Sequence, residues 1–149
     1  MRNGLPLILA LTVMGLGVVG CQEHAESGRK QKFAIILQAD SDRHEGLARA
    51  LHALLYAKEL KESGADVVLI FDGAGTTWAE KLQDPQHKLH PMYESLKKDG
   101  VVQIVCDFCS GAFKVKGKIK DPQLTLTSEY QGHPSVAKWT KQGYQLIIL

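Results

Sequence analysis

Basic density is what this sequence most plainly lacks. Its 149 residues carry 18 Lys and Arg against 16 Asp and Glu, a net charge of only +2. A dedicated nucleic-acid binder needs a concentrated positive surface, so nucleic acid is not an expected partner. No internal repeat and no low-complexity tract is visible, which excludes a solenoid and a disordered tail as the main architecture. The longest apolar run, residues 5–19, is short and glycine-rich for a membrane span. What is present fits a folded domain: 44% hydrophobic and 23% charged residues, in a chain long enough to bury one core.

The first twenty residues differ from the rest. Arg2 gives a short positive start, and the apolar run that follows holds no charge. This is the layout of a secretory signal. The run ends Val18-Val19-Gly20-Cys21, which resembles a bacterial lipobox, in which the cysteine becomes the lipid-bearing first residue after cleavage. The expectation is a signal peptide over 1–20, lipidation at Cys21, a polar tether over 21–32 and a domain over 33–149. The protein would then be exported and lipid-anchored in the cell envelope, on the periplasmic face in a Gram-negative cell. Its membrane partner would be reached through more than one acyl chain, each buried methylene contributing about 0.8 kcal/mol.

Beyond the tether, short apolar runs alternate with helical patterns. Residues 33–37, 67–71 and 101–105 read as strands buried on both faces. Asp42 and Glu45 have the spacing of a capping box, so a helix is expected from about residue 43. Leu47, Leu51, Leu54 and Leu55 fall on one face of it, flanked by Ala50 and Ala57, and Gly64 stops it. Short helices are expected over 76–82, 91–99, 110–116 and 134–142, with residues 124–127 as an exposed or edge strand and 144–149 as the last strand. Strands alternating with helices imply parallel pairing. The fold class is α/β: a three-layer sandwich with a mostly parallel, flavodoxin-like sheet.

In such sheets ligands bind beyond the carboxyl ends of the strands. That rule gathers Asp40, Asp72 with Gly73, and Cys106-Asp107-Phe108-Cys109 at one edge. Two thiols three residues apart can form a disulfide or share a redox cycle. Cys109 directly precedes an expected helix, whose unpaired N–H groups favour a thiolate, while Asp107 opposes it. A structural disulfide is the rival reading, favoured by export. A closed zinc site needs four ligands, and one Cys-x-x-Cys gives two; His87 and His90 lie in an irregular segment with nothing to aim them at the pair.

The segments His44-Glu45-Gly46-Leu47, Leu69-Ile70-Phe71-Asp72-Gly73-Ala74-Gly75, Cys106-Asp107-Phe108-Cys109-Ser110-Gly111 and His133-Pro134-Ser135 resemble the DsrE/DsrF-like family. The resemblance runs from about residue 33 to 149. It implies that Cys109 is the sulfur-accepting nucleophile of a relay, with Cys106 as its partner thiol. It also implies a homo-oligomer, a trimer or hexamer. Export separates this chain from the tRNA thiolation of cytoplasmic sulfur-relay members.

The functional expectation is thiol-based sulfur transfer or persulfide and redox chemistry through the pair, with a small sulfur donor or a thiol as partner. Asp40, His44, Asp72 and Gly73 are the candidate ligand-binding residues. Asp72 and the following glycine-rich turn could present N–H groups to an anion, but the Lys-Ser/Thr of a P-loop is missing. His133 reads as a residue that precedes Pro134 and caps the last helix. No cofactor and no resident metal are expected. The alternative is a non-catalytic envelope protein that binds a ligand or partner at the same edge, its cysteines locked as a disulfide.

Overall fold

A computed structural model describes residues 29–149, together with Met1. The expected signal peptide, the expected lipidation site Cys21 and most of the expected tether lie outside the described residues. Among the described residues no helix is long and apolar enough to cross a membrane.

Five strands form one parallel sheet in the order β4-β3-β2-β1-β5. They are β1 (Lys32–Leu37), β2 (Asp66–Phe71), β3 (Val102–Cys106), β4 (Leu124–Thr127) and β5 (Gln145–Ile148). The helices are α1 (His44–Glu62), α2 (Thr76–Lys81), α3 (His90–Lys98), α4 (Asp107–Ala112) and α5 (Val136–Lys141). The three-layer, flavodoxin-like α/β expectation holds. So does the edge position of β4.

The strand residues alternate between two cores, because successive side chains point to opposite faces of a sheet. Ile35, Leu37, Val67, Leu69, Phe71 and Val105 face α1, α2 and α3, where they meet Leu54, Trp78, Tyr93 and Leu96. Ala34, Ile36, Val68, Ile70 and Ile104 face the other way and pack with Trp139 of α5. This two-sided burial explains why the strands read as continuous apolar runs. Each fully buried Leu, Ile or Phe contributes about 1.5–3 kcal/mol through burial.

Three local expectations are corrected. The capping box does not form: Arg43 occupies the N-cap of α1 without a side-chain cap. Asp42 instead pairs with Lys81 at 2.8 Å, and Glu45 with Arg49 at 2.6 Å. The buried stripe of α1 is Gly46, Ala50, Ala53, Leu54 and Ala57, while Leu55 is exposed. Small side chains let this helix lie close to the sheet, so Gly46 and the alanines share its inner face with Leu54, Leu47 and Leu51 pack at its margin, and only Leu55 of the four leucines turns outward. Finally, α4 begins at Asp107, three residues earlier than the pattern suggests, and draws the cysteine pair into its first turn.

One glycine fixes the approach of two strand ends. A Cβ on Gly75 would run into the Leu37 carbonyl oxygen. The turn after β2 can therefore sit against the end of β1 only because residue 75 has no side chain.

Candidate functional site

The chain after β2 turns at Asp72, whose N–H donates to the Leu37 carbonyl at 3.0 Å. This leaves the half-buried Asp72 side chain over the carboxyl end of the sheet. Gln38, which follows β1, donates from Nε2 to Asp72 Oδ2 at 3.0 Å. The other carboxylate oxygen is free to face the next strand end, and it accepts from Cys109 Sγ at 3.6 Å.

Cys106 ends β3 and serves as the N-cap of α4: its sulfur accepts from the Cys109 N–H at 3.4 Å. The helix-start interaction expected for Cys109 therefore belongs to Cys106. Both cysteines are buried and free, Cys106 completely and Cys109 with 8% of its surface exposed. Burial pushes the Cys106 thiol well above its ordinary value. The Cys109 N–H pulls it down, while the Cys109 side chain and the Asp72 carboxylate push it further up. Asp72 goes the other way. Burial raises its carboxyl, but hydrogen bonds from Gln38, both cysteines and the Gly73 N–H hold it below the usual carboxylate range.

The fourth member of the group is His133. It arrives on a tight turn in which Gln131 and Gly132 both have positive φ, 49° and 90°. Successive positive φ values are those of a type I′ turn, which glycine adopts cheaply at the second position. Tyr130 and His133 exchange backbone hydrogen bonds of 2.8 and 2.9 Å across it. The Gly132 carbonyl accepts from the Phe108 N–H at 3.0 Å, which ties the turn to α4. His133 Nδ1 then lies 3.2 Å from Cys106 Sγ and 3.6 Å from Cys109 Sγ. Its ring packs against Phe108, with centroids 4.9 Å apart.

Asp72, Cys106, Cys109 and His133 thus bring one ligating atom each to within 4.8 Å of one another. Gly73 stays beside them at the start of a short 3-10 turn, with φ of 53°. Asp40 and His44 do not join the group. Asp40 lines a shallow recess with Gln38, Arg43, Arg49 and Leu149, and its Oδ1 accepts from the Asp42 N–H at 3.1 Å. His44 lines a separate cleft of about 590 Å³ with Trp78, Lys81 and His87. Asp40, Asp72 with Gly73, and the cysteines all follow strand ends, but the edge is divided into distinct hollows and Asp40 does not converge with the rest. The sequence reading missed Gln38 and His133. The Gln131-Gly132 turn before His133 was the available signal for the latter.

The profile of the DsrE/DsrF-like family matches residues 31–149. The chain belongs to this family. An uncharacterized protein of Methanocaldococcus jannaschii is 39% identical over 99 residues, covering 66% of this chain and 78% of that protein. Among solved structures, the ychN protein from E. coli superposes with a TM-score of 0.60 at 20% identity, covering 80% of this chain and 99% of that one. A conserved protein of unknown function from Bacteroides thetaiotaomicron gives 0.55 at 19% identity, with 80% and 95% covered. At these identities the two structures establish the shared fold. Membership of the DsrE/DsrF-like family supports a general role of the sulfur-relay type.

Proposed function

We propose that this protein is a thiol-based sulfur carrier in which Cys109 accepts a sulfane sulfur and hands it to a second thiol. The observation that carries this reading is the exposure difference within the pair: Cys109 keeps a solvent-reachable edge beside Asp72 and His133, and Cys106 keeps none. A thiolate is the attacking form, and His133 Nδ1 stands where it can take the Cys109 proton. The Cys109 sulfur then attacks the outer sulfur of a persulfide donor R–S–SH. A Cys109–S–SH bond forms, the donor S–S bond breaks, and R–S⁻ leaves with the electron pair.

A neighbouring thiolate would attack that persulfide, close a disulfide and release HS⁻. Burial keeps the Cys106 thiol protonated and poorly nucleophilic. That supports carriage of the sulfur for longer than proximity alone would allow. The exposed side chains of Phe108, Leu126 and Tyr130 stand on the segments around the pair and support docking of a thiol-bearing partner or of further copies in a trimer or hexamer. The apolar segment ending at Cys21 supports a lipid-anchored place in the envelope, where tRNA is not the acceptor.

The test is incubation of the reduced protein with inorganic polysulfide, followed by intact mass. One added sulfur atom per chain is expected, and none in the Cys109→Ser variant. A wild-type chain that gains nothing overturns the proposal.

A further inference from the structure

We propose that the reduced cluster of Asp72, Cys106, Cys109 and His133 binds one zinc ion per chain, and that the bound ion masks the thiols. The donor set is two sulfurs, one imidazole nitrogen and one carboxylate oxygen, drawn from three separate segments: the turns after β2 and β4, and the β3–α4 junction. Soft sulfur and imidazole donors in a four-ligand group select zinc over magnesium or calcium.

The spacing fits the ion. With Zn–S about 2.3 Å and Zn–N or Zn–O about 2.0 Å, a tetrahedral site has edges of about 3.5 Å. The observed separations are 3.2 Å for Cys106 Sγ to His133 Nδ1, 3.6 Å for Cys109 Sγ to His133 Nδ1, and 3.6 Å for Cys109 Sγ to Asp72 Oδ1. All four atoms fall within 4.8 Å of each other, so modest side-chain rotation closes the remaining gaps.

Groups around the cluster orient it, as second-shell partners do in zinc sites. Gln38 holds Asp72 by Oδ2, leaving Oδ1 toward the sulfurs. The Cys109 N–H points at the Cys106 sulfur, which favours a metal-bound thiolate there. Phe108 packs on the His133 ring and limits its rotation. His87 and His90, the histidines that a zinc reading of the sequence would recruit, are engaged elsewhere: His87 lines the cleft beside Trp78, and His90 Nδ1 contacts the Leu82 carbonyl at 2.7 Å.

Binding releases the two thiol protons: Zn²⁺ plus two Cys–SH gives a zinc dithiolate and two H⁺. The ion needs no oxidant or reductant. With both sulfurs coordinated, Cys109 has no free thiolate for a donor. This masking rests on the sulfur-carrier reading of Cys109; the ion site itself does not.

The experiment strips the reduced full chain with a chelator, then titrates zinc against a chromophoric competitor and cobalt(II) as a spectroscopic probe. One ion per chain is expected, with a thiolate-to-cobalt charge-transfer band and tetrahedral d–d absorption. His133→Ala should weaken zinc binding about a hundredfold or more, since even outer partners are worth about 10–100-fold. Should that variant fail to fold, the near-isosteric Asp72→Asn is expected to weaken binding at least about tenfold. No retained zinc, or retention unchanged in the variant that folds, overturns the site. A second arm exposes metal-free and zinc-loaded chains to polysulfide. Uptake at least about tenfold slower in the loaded chain is expected. Equal uptake by the two forms overturns the masking. Zinc binding without uptake by the metal-free chain rejects the sulfur-carrier reading and the masking with it. Uptake without zinc binding rejects only the metal site.

Discussion

His133 Nδ1 stands 3.2 Å from the Cys106 sulfur, although 27 positions separate the two residues. The turn at Gln131-Gly132 and the Gly132–Phe108 hydrogen bond bring them together. The same nitrogen lies 3.6 Å from Cys109 Sγ, within reach of the more accessible sulfur as well.

If His133 takes the Cys109 proton, His133→Ala should slow sulfur uptake by about a hundredfold, the lower end of what a positioned acid–base group contributes. Stopped-flow reaction with polysulfide measures this. The half-buried ring makes a small packing contribution, so the change in stability should stay near 1 kcal/mol. An unchanged rate would remove His133 from the chemistry.

Cys106→Ser separates uptake from release. The variant should gain sulfur as the wild type does, because Cys109 remains. It should not release sulfide from the loaded state, because the one thiol among the described residues close enough to close a disulfide is gone. A sulfide assay on the loaded proteins decides this. Equal release from both would place the attacking thiol elsewhere.

Gly132→Ala should be costly for its size. Residue 132 has φ of 90°, and a Cβ there would meet Phe108 Cβ at 3.0 Å. The left-handed backbone costs an L residue about 1–2 kcal/mol before the contact is counted. Urea unfolding should show a loss of about 2 kcal/mol, together with slower sulfur uptake as His133 is displaced. A neutral substitution would mean the turn is not under that constraint.

A second prediction of stability concerns Asp121, remote from the cysteines. Its carboxylate accepts from Tyr93 Oη at 2.7 Å and from Lys97 Nζ at 2.5 Å. Burial raises the carboxyl, but the bonds from Lys97, Tyr93 and the Gln123 N–H outweigh it and hold Asp121 below its ordinary 3.8. A lowered folded value contributes stability above the unfolded value and loses it as pH falls through the folded one. Asp121→Asn should therefore cost about 2 kcal/mol at neutral pH and progressively less below about pH 4. Denaturation midpoints across that range check it; a pH-independent difference would contradict the ion-pair account.

The architecture was legible because its signals are local. Each buried strand is a continuous apolar run, and each is closed by a turn residue, so β1, β2 and β3 lie within a residue of where the pattern puts them. The inner face of α1 was harder to read because close packing on the sheet selects small side chains over large ones, and hydrophobicity alone ranks Leu55 above Ala53. Asp42 illustrates competition: a capping role and an ion pair with Lys81 suit the same carboxylate, and the pair wins. In the site, the edge rule placed Asp72, Cys106 and Cys109 together. His133 escaped because its position depends on a turn bonded to α4, a long-range contact with no periodic trace. Asp40 and His44 were grouped with the cysteines by topology, yet the side chains that follow β1 divide the edge, with Gln38 reaching Asp72 instead.

The most direct measurement of the central claim is where the sulfur goes. Polysulfide-treated protein, alkylated under native conditions and digested, should show the persulfide on the peptide carrying Cys109, with Cys106 still a thiol, and addition of a small acceptor thiol should remove it. A persulfide found on Cys106, or a chain that passes directly to a Cys106–Cys109 disulfide without any sulfur transferable to the acceptor, would contradict the account.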